Sequence, residues 1–313
     1  MKIGKVDIDS KLVLAPMEGV NCAAFRLLCR EYGAGLVSTP MILTDELVKE
    51  PEKIIKRLCF LKNEKPISIQ LAGSDPKIME RAVQIIEEYA DIIDINLGCP
   101  KKEILALKAG AFFTKHPEQI KKIVSPIINS TNKPVTAKIR IGWDEKSINT
   151  LETVKILEDL GVDAIAIHAR TRKQVYSGKA AWSEIKKAKE KANIPIIGNG
   201  DIFLPGNAKS MLEQTKCDFA MIARGAIGNP IIFGRADNLL KKGKSNSEPS
   251  EKEKKECFLK FLGYYEKYEH GRSFSEQKQQ AMWFAKEMNN SGILRKKIEN
   301  AANTEELKMI FNR

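Results

Sequence analysis

Short apolar runs recur along residues 12–223, with amphipathic stretches between them. Leu12–Ala15, Leu36–Thr39, Ile67–Leu71, Ile92–Asn96, Val135–Ile139, Ala164–His168, Ile196–Gly198 and Phe219–Ala223 are near-continuous rather than alternating. That is the pattern of strands covered on both faces, as parallel sheets require. Helical spacing between them predicts helices at Pro76–Tyr89, Glu118–Asn129, Ser147–Leu160, Trp182–Ala192 and Asn207–Gln214. Eight strands joined by crossovers predict an α/β fold, a closed TIM (β/α)8 barrel. An open doubly wound sheet is the alternative, but no GxGxxG follows the first strand.

Two segments depart from the rhythm. Thr44–Phe60 reads as an extra helical excursion after the second strand, and Lys101–Lys115 as a long loop of the kind that forms lids. The polar run Lys241–Ser250 reads as a linker. Beyond it, Phe258, Phe261, Leu262 and Tyr265 keep helical spacing and no strand signal returns. The chain is therefore expected to divide into a barrel, 1–240, and an all-α C-terminal domain, 241–313.

Composition narrows the class. At 313 residues and 43% hydrophobic, the chain can fill a large core. No apolar run approaches a membrane span, and Met1–Lys11 has no signal-peptide hydrophobic region, so a cytoplasmic protein with no membrane partner is expected. Its cysteines, at 22, 29, 59, 99, 217 and 257, are dispersed without CxxC, which argues against a disulfide framework and against a metal site. The net charge of +12 favours a polyanionic partner, with nucleic acid ahead of a membrane surface.

Chemistry collects at the strand ends, the face on which barrels react. The first strand runs into Pro16-Met17-Glu18-Gly19, a tight turn whose backbone can lie flat against a ring system. Gln70 ends the third strand, an amide able to face a heterocycle edge. The fourth ends in Asn96-Leu97-Gly98-Cys99-Pro100, a turn that can hold a thiol out at the strand's end. Lys138 and Arg140 on the fifth are spaced to point the same way, and the sixth ends in His168-Ala169-Arg170. The last two strands end in Gly198-Asn199-Gly200-Asp201 and Ala223-Arg224-Gly225, where barrels bind phosphate.

The runs LVLAPMEGV (Leu12–Val20), QLAG (Gln70–Gly73), NLGCP (Asn96–Pro100), KIR (Lys138–Arg140), HARTR (His168–Arg172), YSGKAAW (Tyr176–Trp182), GNGDI (Gly198–Ile202) and ARGAIGNP (Ala223–Pro230), in this order, resemble the tRNA-dihydrouridine synthase family. The resemblance implies an FMN-dependent oxidoreductase that reduces D-loop uridines of tRNA to dihydrouridine, with NADPH or NADH visiting transiently as reductant. It implies that Pro16, Met17, Glu18, Gln70, Lys138 and His168 contact the flavin, and that Asn199, Gly200, Asp201, Ala223 and Arg224 hold its phosphate end. It implies Cys99 as the proton donor, and Asn96, Arg140 and Arg170 as substrate contacts. The tail, with Lys252, Lys254, Lys255, Arg272, Arg295, Lys296 and Lys297, would bind tRNA, and a monomer is expected. Asn21-Cys22 stands where the family commonly has Thr-Asp, and LALKAGAFFT (Leu105–Thr114) replaces a glycine-rich stretch. Two other readings fit parts of the pattern: an FMN barrel acting on a free small molecule, such as a dihydropyrimidine dehydrogenase-like enzyme, and a non-catalytic RNA-binding barrel.

Overall fold

The computed structural model describes residues 1–312 apart from 244–247, 272 and 287. Its eight barrel strands are Leu12–Leu14, Val37–Ser38, Ile67–Ala72, Ile92–Leu97, Val135–Arg140, Ala164–His168, Ile196–Asn199 and Phe219–Ile222. All are parallel, and the first pairs with the eighth, which begins an unbroken order back to the second. A bridge between Val13 and Leu36 closes the ring, with the Leu14 N–H donating to the Leu36 carbonyl at 2.9 Å. The chain forms the expected (β/α)8 barrel followed by C-terminal helices.

Burial explains the composition of the strands. In the third, ISIQLA, every residue is buried, so neither face tolerates a polar residue without a partner. An inner cluster, including Val13, Ile92, Ala164, Ile197 and Phe219, fills the barrel, and the N-terminal ribbon adds Ile3 and Ile8 to it. An outer cluster lies between strands and helices. Register then stacks the polar positions. Gln70, Asp94 and Thr136 share one level, Asn96 and Lys138 the next, and Arg140, His168 and Asn199 the level above.

Two sequence expectations are corrected. Thr44–Phe60 is no extra excursion: Thr44–Lys49 and Pro51–Leu58 are the crossover helices between second and third strands, and Leu47, Ile54 and Leu58 face the outer core. Lys101–Lys115 is no open loop. It folds into a short helix, Lys102–Ala106, and a 3-10 turn, Gly110–Thr114, which buries Phe113. The Ala111 N–H donates to the Cys99 carbonyl at 2.9 Å, so this segment braces the turn that carries the thiol.

Beyond helix Ile232–Lys242, four more helices follow among the described residues: Glu251–Tyr268, Phe274–Ala285, Ser291–Asn300 and Thr304–Asn312. The first is capped by Ser250, whose hydroxyl accepts from the Glu253 N–H. Phe258 anchors their interior, with ring centroids 4.0 Å from Phe311 and 5.2 Å from Phe284. This apolar interior belongs to the same outer cluster as the barrel. The seam is close: a Cβ at Gly228 would come within 2.5 Å of the Trp283 backbone, and Gly228 also has a φ of +67°. Polar ties cross it too, from the Ala24 N–H to Glu269 Oε1 at 3.1 Å and from Gln280 Nε2 to the Val20 carbonyl at 3.2 Å. Arg272 and residues 244–247 of the linker segment lie outside the described residues. Among the described residues no helix is long and apolar enough to cross a membrane.

Candidate active site

A cavity of about 340 Å³ opens at the carboxyl ends of the strands. Pro16, Met17, Glu18, Gln70, Asn96, Cys99, Lys138, Arg140, His168, Asn199, Gly200, Asp201, Ala223 and Arg224 all line it. Its size falls within the ~300–1,000 Å³ of pockets that enclose a cofactor-sized ligand. Of the residues expected in the site, Arg170 alone does not line it.

Arg170 turns away because the strand has ended. The Arg170 N–H folds back on the His168 carbonyl at 2.8 Å, which breaks the in–out alternation. Its buried guanidinium then donates to both oxygens of Asp201, at 2.7 and 2.8 Å, and to the Ser177 and Gly178 carbonyls. Arg170 thus braces the loop of residues 175–181 and does not line the cavity. The Asp201 carboxylate also accepts the Ala180 N–H at 2.8 Å and lies 3.6 Å from Arg224, so it ties the same loop to the second cation. Arg224 in turn packs against Tyr176 and Phe203, 4.9 and 5.1 Å from their ring centroids.

Arg140 lines the cavity but directs its donors at three carbonyls, those of Gly98, Thr171 and Val175, each at 2.9 Å. Burial first, and neighbouring Arg170 and Arg172, push its pKa down to about 10, which leaves it charged at neutral pH. Lys138 differs. It is half-buried at the cavity wall, and its ammonium donates to Asn199 Oδ1 at 3.3 Å. Burial, with Arg140 adding repulsion, pushes its pKa down to about 8. Such a cation suits an electron-rich ligand with an acceptor edge.

Burial and the adjacent cations Lys138 and Arg140 hold the His168 pKa well below its usual value, so the imidazole is neutral. The Cys99 thiol is pushed up, chiefly by burial and against the pull of Lys101, and stays protonated at neutral pH. Beneath them lies Asp94, which the sequence reading passed over. Gln70 Nε2 donates to it at 2.6 Å and Thr136 Oγ1 at 2.7 Å, and Asn96 Nδ2 donates to Gln70 Oε1 at 2.7 Å. Asn96 Oδ1 accepts from the Gly98 and Cys99 N–H groups, an Asx turn that aims the cysteine. Gln70 and Asn96 are therefore both cavity lining and structural pins.

The sequence reading also passed over Met41, Phe203 and Tyr176, which line the same cavity. Tyr176 lay within the YSG run and could have been found there. Met41 and Phe203 sit in connecting segments, where no periodicity points a side chain.

Comparison with known proteins agrees with this geometry. Residues 13–312 match the family model described as Dihydrouridine synthase (Dus). The chain belongs to the dihydrouridine synthase family. Among curated relatives, tRNA-dihydrouridine synthase B of Pasteurella multocida (strain Pm70) is 41% identical over 263 residues, 84% of this chain and 79% of that protein. The enzyme of the same name from Escherichia coli (strain K12) is 39% identical over 244 residues, 78% of this chain and 76% of its own length. Among solved structures, histamine dehydrogenase from Rhizobium sp. 4-9 superposes with TM-score 0.59 at 14% identity, over 84% of this chain and 50% of that one. The old yellow enzyme homologue from Zymomonas mobilis gives 0.52 at 12% identity, over 80% and 94%. At such identities these neighbours speak for the barrel fold.

Proposed function

We propose that this dihydrouridine synthase binds FMN in the cavity at the barrel mouth and reduces D-loop uridines of tRNA, recharged by NADPH or NADH. It acts as a cytoplasmic monomer whose residues 241–313 form a tRNA-binding domain. The observation that carries the reading is the convergence on one cavity of a protonated thiol, a half-buried lysine and an arginine between two glycine-bearing loops. Those residues fit the cofactor. Lys138 faces the pocket as a half-buried cation, and Gly200, whose φ of +131° and close approach to Ala180 leave no place for a Cβ, keeps its loop's backbone bare at the cavity wall. Pro16, Met17, Glu18, Gln70, Lys138 and His168 would surround the ring system, with Asn199, Gly200, Asp201, Ala223 and Arg224 toward the phosphate. Asp201 contributes there by steering Arg224, since a carboxylate cannot itself accept an anion.

When bound, reduced FMN supplies the hydride that reaches C6 of the uracil. The chain's own residues do the rest. Cys99 Sγ gives its proton to C5, a transfer worth ~10²–10⁴-fold when the acid is positioned. Lys138 lies where it can offset negative charge on the uracil and the ring system during that transfer. Arg140 holds the Gly98 carbonyl and the 171–175 segment, so the walls around the base stay in place. The base must leave the tRNA stack to enter such a cavity.

Two measurements test the reading together. The purified protein should show flavin absorbance that Arg224→Ala largely abolishes with the fold intact, and it should form dihydrouridine in unmodified tRNA with nicotinamide present. A colourless protein, or turnover of free uracil in place of tRNA, would defeat it.

A further inference from the structure

Asp94 is buried at the level below the cavity and touches no part of it. Every hydrogen bond around it nevertheless runs one way. The Gly98 and Cys99 N–H groups donate to Asn96, Asn96 donates to Gln70, and Gln70 and Thr136 donate to Asp94. A primary amide has one donating and one accepting end, so the orientation of each fixes that of the next. A carboxylate only accepts, and is the natural terminus of such a chain.

We propose that Asp94 is a positioning residue: it supplies the acceptor that sets the direction of the Gln70–Asn96 amide chain, and so holds the turn that presents the Cys99 thiol. The consequence for catalysis rests on Cys99 as proton donor; the geometric claim does not. Were Gln70 to reverse, Asn96 would have to follow, and its amino group would then face two backbone N–H donors. The Gly98 and Cys99 N–H groups oppose that reversal at one end of the chain, and Asp94 Oδ2, the partner of Gln70 Nε2 among the bonds described, opposes it at the other. Burial raises the Asp94 pKa, while Thr136, Gln70 and Lys138 pull it back toward the carboxylate.

Asp94 also attracts Lys138, and this balancing of charge separates from positioning by experiment. Asp94→Asn keeps an acceptor for Gln70 if its amino group turns to the Thr136 hydroxyl, which can accept as well as donate. Asp94→Leu removes the acceptor at similar size. Gln70→Met cuts the chain one link nearer to the thiol. The first readout is carboxamidomethylation of the Cys99 peptide by iodoacetamide in flavin-free protein. Loosening the turn exposes the thiol and relaxes its desolvation, so the rate should rise ~10-fold in Asp94→Leu and Gln70→Met, the change expected for one pKa unit. Asp94→Asn should stay near wild type.

The second readout is single-turnover oxidation of the reduced holoenzyme by tRNA. This rate should fall ~10²-fold in Asp94→Leu, the cost of a misplaced reacting group, and far less in Asp94→Asn. Melting temperature identifies any variant that has not folded, and Gln70→Met then decides in place of Asp94→Leu. Unchanged alkylation in both apolar variants overturns the proposal, as does an Asp94→Asn protein that behaves like Asp94→Leu. If Cys99→Ala still reduces tRNA at the wild-type rate, the proton-donor reading fails, while alkylation still judges the amide chain.

Discussion

At the barrel mouth, Arg140 reaches three carbonyls, Arg170 grips Asp201, and Asp94 collects Gln70 and Thr136. In the tail, Phe258, Phe261, Phe284 and Phe311 pack ring on ring, and helix Glu251–Tyr268 has no buried charge of its own. One region is held by directional bonds between buried polar groups, the other by area removed from water. Directional bonds place atoms to a few tenths of an ångström at the expense of desolvation; apolar packing gives stability without such aim. The proton donor proposed for the mouth needs the first kind of support, and the polyanion platform proposed for the tail needs only the second.

The largest expected effect breaks the comparison at the mouth. Cys99→Ala should lower tRNA reduction by ~10²–10⁴-fold while flavin reduction by the nicotinamide continues near its normal rate. Stopped-flow measurement of the two half-reactions checks this, and equal slowing of both would show that the thiol supports the pocket instead of the proton transfer. In the tail the matching change is Phe258→Ala, which removes the centre of the stack and should cost ~3–5 kcal/mol. Denaturant unfolding would read it. Because the tail shares its apolar cluster with the barrel, one cooperative transition should shift, and a separate early transition would show that the seam at Gly228 does not couple the two. For the same reason point changes test the tail better than deletion, which would strip cover from the barrel helix Ala23–Glu31.

How much of this could be read beforehand follows the same division. Continuous apolar runs revealed all eight strands, since burial on both faces leaves a plain mark in sequence. Strand positions carried Gln70, Asn96, Lys138 and His168 into one cavity, because period-two alternation holds up to the last paired residue, while Cys99, beyond its strand, is aimed there by the turn on Asn96. Two residues past that point the rule no longer holds: Arg170 follows a tight turn and faces Asp201. Asp94 was hidden for the opposite reason. Within IIDINL it looks like one polar residue in a strand, and only the register against Gln70 and Thr136 gives it partners. A carboxylate in a fully buried strand was the available signal. Lys101–Lys115 read as a loop because its helix is five residues long, too short for helical periodicity to register.

A smaller effect sharpens the electrostatic half of the contrast. Lys138 has a folded pKa near 8 against ~10.4 for a free lysine. Between those values the unfolded chain binds a proton that the folded chain lacks, so stability should rise with pH across that window. Below about 8 the buried charge costs on the order of 3 kcal/mol. Flavin-free protein should therefore gain stability from pH 7.5 to 9.5 relative to Lys138→Met, whose curve lacks this contribution. Phe258→Ala should keep the wild-type slope. Parallel curves for wild type and Lys138→Met would mean that water or a counter-ion reaches the ammonium.

The smallest effect concerns the tRNA contact proposed for the tail. Lys252 and Lys255 lie beside Glu256 and Glu251, at 3.9 and 3.1 Å, so each already has a carboxylate neighbour within helix Glu251–Tyr268. Arg295, Lys296 and Lys297 are different: three consecutive exposed cations on helix Ser291–Asn300, whose Ile298 anchors it to the interior. Phosphate contacts release counter-ions, and each adds about 0.7–0.9 to the steepness with which log affinity falls against log salt. Replacing all three by Ala should flatten that slope by about two to three and weaken tRNA binding at low salt. Flavin content and the flavin half-reaction should not move, because the buried side of the helix is untouched. Filter binding of a tRNA transcript across a salt series measures it. A slope identical to wild type would assign the tRNA face to another part of the surface, and would leave the tail as cover for the barrel alone.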